Sequence, residues 1–212
     1  MADEERIRSF LAIDLPGEIK DGMGRIQERL ISQISGVRWT RPEGIHLTIK
    51  FFGDISKDDM LAISRAVENI ALNVSPFSLS IGGLGAFPGL RRPRVLWIGM
   101  EGDLESLSML QQEIDLSLEA CGFKREERGF NPHLTLGRFR TPGETADLEK
   151  IFEKKNAYRA GEFTAQGLTL FKSALTPKGA LYTVLKFFPF GGNNPLENTK
   201  QNFKKNSPAN LN

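Results

Sequence analysis

The sequence predicts an α+β fold built from two related halves, and three observations carry that prediction. Short strand-like runs are interleaved with amphipathic helical stretches along most of the chain. The two histidines, His46 and His133, each open the same word, HLTIKFFG and HLTLGRFR. At bulk residue frequencies both copies together would be an accident on the order of a few in a hundred thousand. Around each copy the order is helix, glycine, polar stretch, histidine strand: Gly36 precedes His46 about as far as Gly122 precedes His133, and Phe52 and Phe139 stand at equal offsets beyond. Duplication is the natural inference.

Each element has a local reason. Phe10 to Leu15 reads as a buried strand, and Pro16 then opens a helix whose apolar face is Ile19, Met23, Ile26 and Leu30, with Asp14 as its expected cap. Val37–Trp39 and Ile45–Phe52 are strands separated by the turn-prone Arg41-Pro-Glu-Gly44. Ser56 and Asp59 form a capping box for a second helix with the stripe Met60, Ile63, Val67 and Ile70. Phe77–Ile81 and Val95–Ile98 are strands flanking a loop, Gly82 to Arg94, rich in glycine, proline and arginine. A third helix carries Leu104, Leu107, Leu110, Ile114, Leu118 and Cys121, with Gly122 at its left-handed end. After the strand of His133 come a short helix around Leu148, Ile151 and Phe152, then strands Phe163–Ala174 and Leu181–Phe188 joined as a hairpin across Pro177-Lys-Gly179. From Gly191 to Asn212 the chain is asparagine-rich and nearly devoid of apolar residues, so residues 1–190 are expected to form one bilobal domain and 191–212 a mobile tail.

Composition narrows the class. With 212 residues, 40% of them hydrophobic and 25% charged, the chain can bury a sizeable core. The single cysteine, Cys121, excludes an internal disulfide and a cysteine-based zinc site, and it is expected to pack quietly on its helix. The charged start MADEERIRSF lacks the apolar core of a signal peptide, and no stretch reaches the roughly 20 apolar residues that cross a bilayer. A cytoplasmic protein without a membrane partner is expected. A net charge of +2 means that any contact with nucleic acid must be local. Nothing resembles a coiled-coil seam, which makes a monomer the expectation.

Residues two apart on a strand share a face, about 6.7 Å apart. His46 therefore projects with Thr48, and His133 with Thr135, while Leu47, Ile49, Leu134 and Leu136 face the core. If the two halves bring these faces into one cleft, the result is two imidazoles and two hydroxyls around a shared centre. Such a set suits displacement at phosphorus, which needs a base for the attacking oxygen, an acid for the leaving oxygen and donors for the remaining charged oxygens. Metal binding is the other chemistry available to histidine, but neither motif has a cysteine cluster, a His-x-x-x-His or a nearby Asp/Glu set, so no metal and no cofactor are expected. A non-catalytic nucleotide- or RNA-binding module could use the same cleft, although it would have no need of two titratable groups. Trp39 and Trp97 are assigned to the core.

These motifs, with Arg8-Ser-Phe-Leu-Ala-Ile-Asp-Leu-Pro16, Val37-Arg-Trp39, Phe87-Pro88, Arg92-Pro-Arg-Val-Leu-Trp97 and Asn131-Pro-His-Leu-Thr-Leu-Gly-Arg138, resemble the 2H phosphoesterase superfamily and within it the RNA 2′,3′-cyclic phosphodiesterases, also called 2′-5′ RNA ligases. The likeness covers roughly residues 6–188. It implies a bilobal, LigT-like fold in which two antiparallel sheets surround a central cleft, with helices outside and no metal requirement. The implied reaction opens the 2′,3′-cyclic phosphate of an RNA end, tRNA fragments among the candidate substrates, to a 2′-phosphomonoester, with 2′-5′ ligation as its reverse. His46 would protonate the departing 3′ oxygen and His133 would activate water, although the near-symmetry of the motifs permits either order. Thr48 and Thr135 would hold phosphate oxygens. Arg138 matches a substrate-contacting position and Phe51 a base-stacking one; a solvated strand-end arginine and a core aromatic are their bland alternatives. Arg91, Arg92 and Arg94 make a candidate track for the RNA backbone, where the alternative is ordinary charged surface.

Overall fold

The computed structural model describes residues 6–127, 129–141, 148–176 and 179–192. Nine strands and four α-helices follow in the order β1 (Ile7–Asp14), α1 (Gly17–Ile31), β2 (Val37–Trp39), β3 (His46–Ile55), α2 (Lys57–Ala71), β4 (Phe77–Phe87), β5 (Val95–Gly102), α3 (Leu104–Glu119), β6 (Leu134–Phe139), α4 (Leu148–Glu153), β7 (Arg159–Ala165), β8 (Gly167–Thr176) and β9 (Gly179–Pro189), counted among the described residues. One antiparallel sheet has the order β3-β1-β8-β9, the other β2-β6-β5-β4-β7. The two histidine strands lie in different sheets and are not paired with each other. Each has as its neighbour the strand that precedes its own crossover helix, β1 beside β3 and β5 beside β6, so the duplication is visible in the strand order. The halves do not keep to themselves, because β2 joins the second sheet while β8 and β9 complete the first.

Alternation assigns the faces. Leu11, Ile13, Leu47 and Ile49 from the first sheet and Leu96, Ile98, Leu134 and Leu136 from the second are buried in one continuous cluster, which also takes Ile19, Met23, Ile26 and Leu30 of α1 and Ile63 and Val67 of α2. The opposite face of β1 carries Phe10 and Ala12, which pack with Phe171 and Tyr182 in a separate small cluster. The α2 capping box is present as expected, Ser56 Oγ accepting from the Asp59 N–H and Asp59 from the Ser56 N–H. Gly122, at φ +90°, turns the chain after α3 so that the Phe123 N–H returns to the Leu118 carbonyl. None of the described helices is long and apolar enough to cross a membrane.

Several expectations are corrected. Asp14 does not cap α1: its carboxylate accepts from the Leu15 N–H and from Lys20 Nζ, and the Pro16 carbonyl receives the first helical N–H groups. The glycine-rich segment after Ile81 is strand as far as Phe87, because Gly85 lies beneath the Trp97 ring, where a Cβ would overlap the indole. The apolar run Phe163–Ala174 is two strands, since the chain passes at Gln166 from the second sheet to the first. Cys121 lies past the end of α3 and is exposed. At the expected hairpin, Pro177 and Lys178 lie outside the described residues, while β8 and β9 pair up to Thr176 and Gly179. Of the expected tail, residues 193–212 lie outside the described residues; the Gly191 and Gly192 N–H groups bond the Ala71 and Val74 carbonyls behind α2.

Candidate active site

His46 begins β3 opposite Asp14, and its ring is enclosed by aromatics. Phe10 stacks on it at 4.4 Å between centroids, Tyr182 stands edge-on at 5.0 Å, and Phe171 lies at 5.9 Å. Burial pushes the imidazole pKa down to about 4; the hydrogen bond to the Gly44 carbonyl and the Asp14 charge pull the other way and are outweighed. Lys20, bonded to Asp14 at 2.8 Å, blunts the help of that carboxylate.

His133 stands at the entry to β6. Its Nδ1 lies 2.7 Å from the Asn131 carbonyl, which accepts the ring N–H, so in the neutral ring the lone pair is on Nε2. Phe87 meets the ring edge-on at 4.9 Å and Trp97 tilts toward it at 6.1 Å. Trp97 is therefore half-buried beside His133, not in the core to which its sequence context assigns it. Both imidazoles thus bond the backbone carbonyl two residues before them, and both are braced by aromatic rings.

The motif strands share a second device. The register of β1 with β3 passes from Ala12↔Thr48 to Leu11↔Lys50, which leaves Ile49 unpaired, and that of β5 with β6 passes from Trp97↔Thr135 to Leu96↔Gly137, which leaves Leu136 unpaired. Each threonine is followed by a β-bulge. In a regular strand residues three apart point to opposite faces; the extra residue restores them to the same side. Phe51 consequently lies opposite Phe10 on the Thr48 face, and Arg138 opposite Val95 on the Thr135 face. Phe51 is 66% exposed and Arg138 is exposed as well, so both are presented to solvent in equivalent places.

Buried polar groups from helices secure both bulges. Gln27 of α1 donates from Nε2 to the carbonyl of the bulged Leu136 at 2.8 Å and to that of Thr40 at 2.7 Å. Asp115 of α3 bonds Lys50, the residue after the other bulge, and accepts from the Glu126 N–H; Lys50 also donates to the Lys124 carbonyl at 2.7 Å. Burial pushes the Asp115 carboxyl up, but the Lys50 and Glu126 hydrogen bonds outweigh it and hold the pKa below the usual range.

Tyr182 stands at the first of these faces. It touches the His46 ring and feels the positive fields of Arg138 and Arg8; burial pushes its phenol pKa up, and the two guanidiniums oppose that shift. Arg91, Arg92 and Arg94 are exposed at the β4–β5 turn, and the Arg94 carbonyl accepts from the Phe139 N–H, which fixes that loop to the far end of β6. Phe10, Phe87, Trp97, Gln27 and Tyr182 escape sequence reasoning as site residues, although small Gly85 and large Trp97 are a complementary cross-strand pair. Among the described residues no three His, Cys, Asp or Glu side chains are grouped to hold a metal ion.

The model of the 2′-5′ RNA ligase superfamily matches residues 16–176. The RNA 2′,3′-cyclic phosphodiesterase of Methanothermobacter thermautotrophicus is 36% identical over 183 residues, 86% of this chain and 98% of that protein. The protein of the same name from Methanocaldococcus jannaschii is 34% identical over 180 residues, 85% and 99% of the two chains. A crystal structure of a Thermus thermophilus protein superimposes with a TM-score of 0.72 at 26% identity, covering 88% of this chain and all of that one. E. coli LigT shares the fold, with a TM-score of 0.68 at 24% identity over 87% of this chain and 98% of its own.

Proposed function

This chain belongs to the 2′-5′ RNA ligase superfamily, and from that premise we propose that it is an RNA 2′,3′-cyclic phosphodiesterase that opens the terminal cyclic phosphate to a 2′-phosphomonoester. The observation that carries the reading is the matched pair of imidazoles, each oriented by the carbonyl two residues back and each followed by a threonine on the same strand face.

In this reading His133 takes a proton from water through Nε2 as the water oxygen attacks phosphorus, and His46 gives a proton to the 3′ oxygen as the P–O3′ bond breaks. Thr48 and Thr135 donate to the two non-bridging oxygens, where negative charge concentrates. A ring with a pKa of about 4 holds little proton in the free protein, so the bound anionic phosphate must raise that value for His46 to take up from solvent the proton that it donates. Arg138 contacts the RNA backbone beside the terminal nucleotide and Phe51 stacks on its base, with Arg91, Arg92 and Arg94 further along the chain. This chemistry uses no metal. Run backwards, with an RNA 5′-hydroxyl in place of water, it forms a 2′-5′ linkage. The same proposal has the protein acting as a monomer in the cytoplasm, tRNA fragments being among its substrates.

The test is an RNA ending in a 2′,3′-cyclic phosphate, incubated with a chelator and analysed for 2′- against 3′-phosphate. The expected product is the 2′-phosphate, and H46A and H133A should each lower the rate by at least about two orders of magnitude. Loss of turnover with the chelator, or unaffected histidine variants, would overturn the mechanism.

A further inference from the structure

Arg38 lies directly across from Arg138 in the pairing of β2 with β6, and both side chains are exposed. Like charges facing each other across neighbouring strands are destabilising, and neither guanidinium has a carboxylate partner among the described residues. Arg38 also extends toward the other sheet: a Cβ on Gly179, at the start of β9, would lie 3.9 Å from one of its terminal nitrogens. Three residues along β9 stands Tyr182, which touches His46. Both arginines therefore lie near the first residues of β9, Arg38 beside Gly179 and Arg138 close enough for its charge to act on the Tyr182 phenol. Thr135 and Arg138 are three residues apart, about 10 Å of strand at most, a distance comparable to the reach of one nucleotide.

Resting on the function proposed above, we propose that Arg38 and Arg138 together grip the phosphodiester on the 5′ side of the terminal nucleotide, so that the enzyme selects an RNA chain over a free cyclic mononucleotide. Two planar guanidiniums converging on one phosphate offer paired N–H donors to its non-bridging oxygens, and the phosphate removes their mutual repulsion. Arg38 is then a specificity residue that sequence spacing does not connect with either motif.

The test compares adenosine 2′,3′-cyclic phosphate with the dinucleotide ApA ending in a 2′,3′-cyclic phosphate, using wild type, R38Q and R38K. The ratio of kcat/KM for dinucleotide over mononucleotide should fall roughly tenfold or more in R38Q and less in R38K, which keeps the charge but loses the fork. A ratio unchanged in R38Q, whether both substrates suffer equally or neither does, would overturn the proposal. Calorimetric binding of adenosine 2′-monophosphate and of ApA 2′-monophosphate reads the same ratio without turnover. If the wild type opens neither cyclic phosphate, the catalytic reading fails, and a preference for the dinucleotide product lost in R38Q still upholds the arginine site; no such preference overturns it.

Discussion

His46 is neutral at pH 7 in the free protein, because burial against Phe10, Phe171 and Tyr182 penalises its charged form more than the Gly44 carbonyl and Asp14 favour it. Its ring should titrate near pH 4 by NMR in the free protein and shift upward by a unit or more with saturating adenosine 2′-monophosphate. An unmoved midpoint would mean that the phosphate does not sit against this ring. Phe51 makes a different prediction. An aromatic 66% exposed contributes little to the core, so F51A should leave the melting temperature nearly unchanged while raising KM roughly tenfold, the scale of one lost base stack. The sequence offered Phe51 both as core and as base platform; its exposure decides for the surface, because the bulge at Ile49 turns it away from the side that Leu47 faces.

The two motif strands depend on helices to hold their bulges. Truncating Gln27 to alanine removes a buried donor from the Leu136 and Thr40 carbonyls and should cost about 1–3 kcal/mol in denaturant unfolding. A strand left free to slip would turn Arg138 away from the Thr135 face, so the variant should lose activity beyond its loss of stability. D115A is the harsher change, since it strands the Lys50 ammonium in the interior and should cost about 3–5 kcal/mol. The double variant Lys50→Met/Asp115→Leu, which leaves no buried charge, should be far less costly; equal costs would refute a buried-charge origin. The elements themselves were largely legible, since helix periodicity and the Ser56–Asp59 cap are short-range properties. The anchors were not: Lys50 is 65 positions from Asp115, and Gln27 is 109 from Leu136.

At the scale of the molecule, His46 makes folding pH-dependent. Its pKa is about 4 folded against 6.5 for the unconstrained ring, so between these values the unfolded chain binds more protons. The stability held by the neutral ring is complete above pH 6.5 and is lost as pH falls toward 4, by up to about 3 kcal/mol. Denaturant unfolding at about pH 7.5 and about pH 4.5 should show this decline, and H46Q should flatten it; carboxyls held low, such as Asp59, Asp103 and Asp115, lose their contributions at lower pH still. The sequence by itself determined the two halves, the paired His-x-Thr words, the buried leucines and isoleucines between them, and the caps and periodicity of the helices, because strand alternation, helical spacing and turn chemistry act over a few residues. Only the tertiary structure decided that the motif strands lie in separate sheets, that Phe163–Ala174 divides between those sheets, that Phe10, Tyr182, Phe87 and Trp97 brace the imidazoles, and that Arg38 faces Arg138. Strand order and register are set by which distant segments bury their faces together, and a single extra residue in a strand reverses every side chain beyond it.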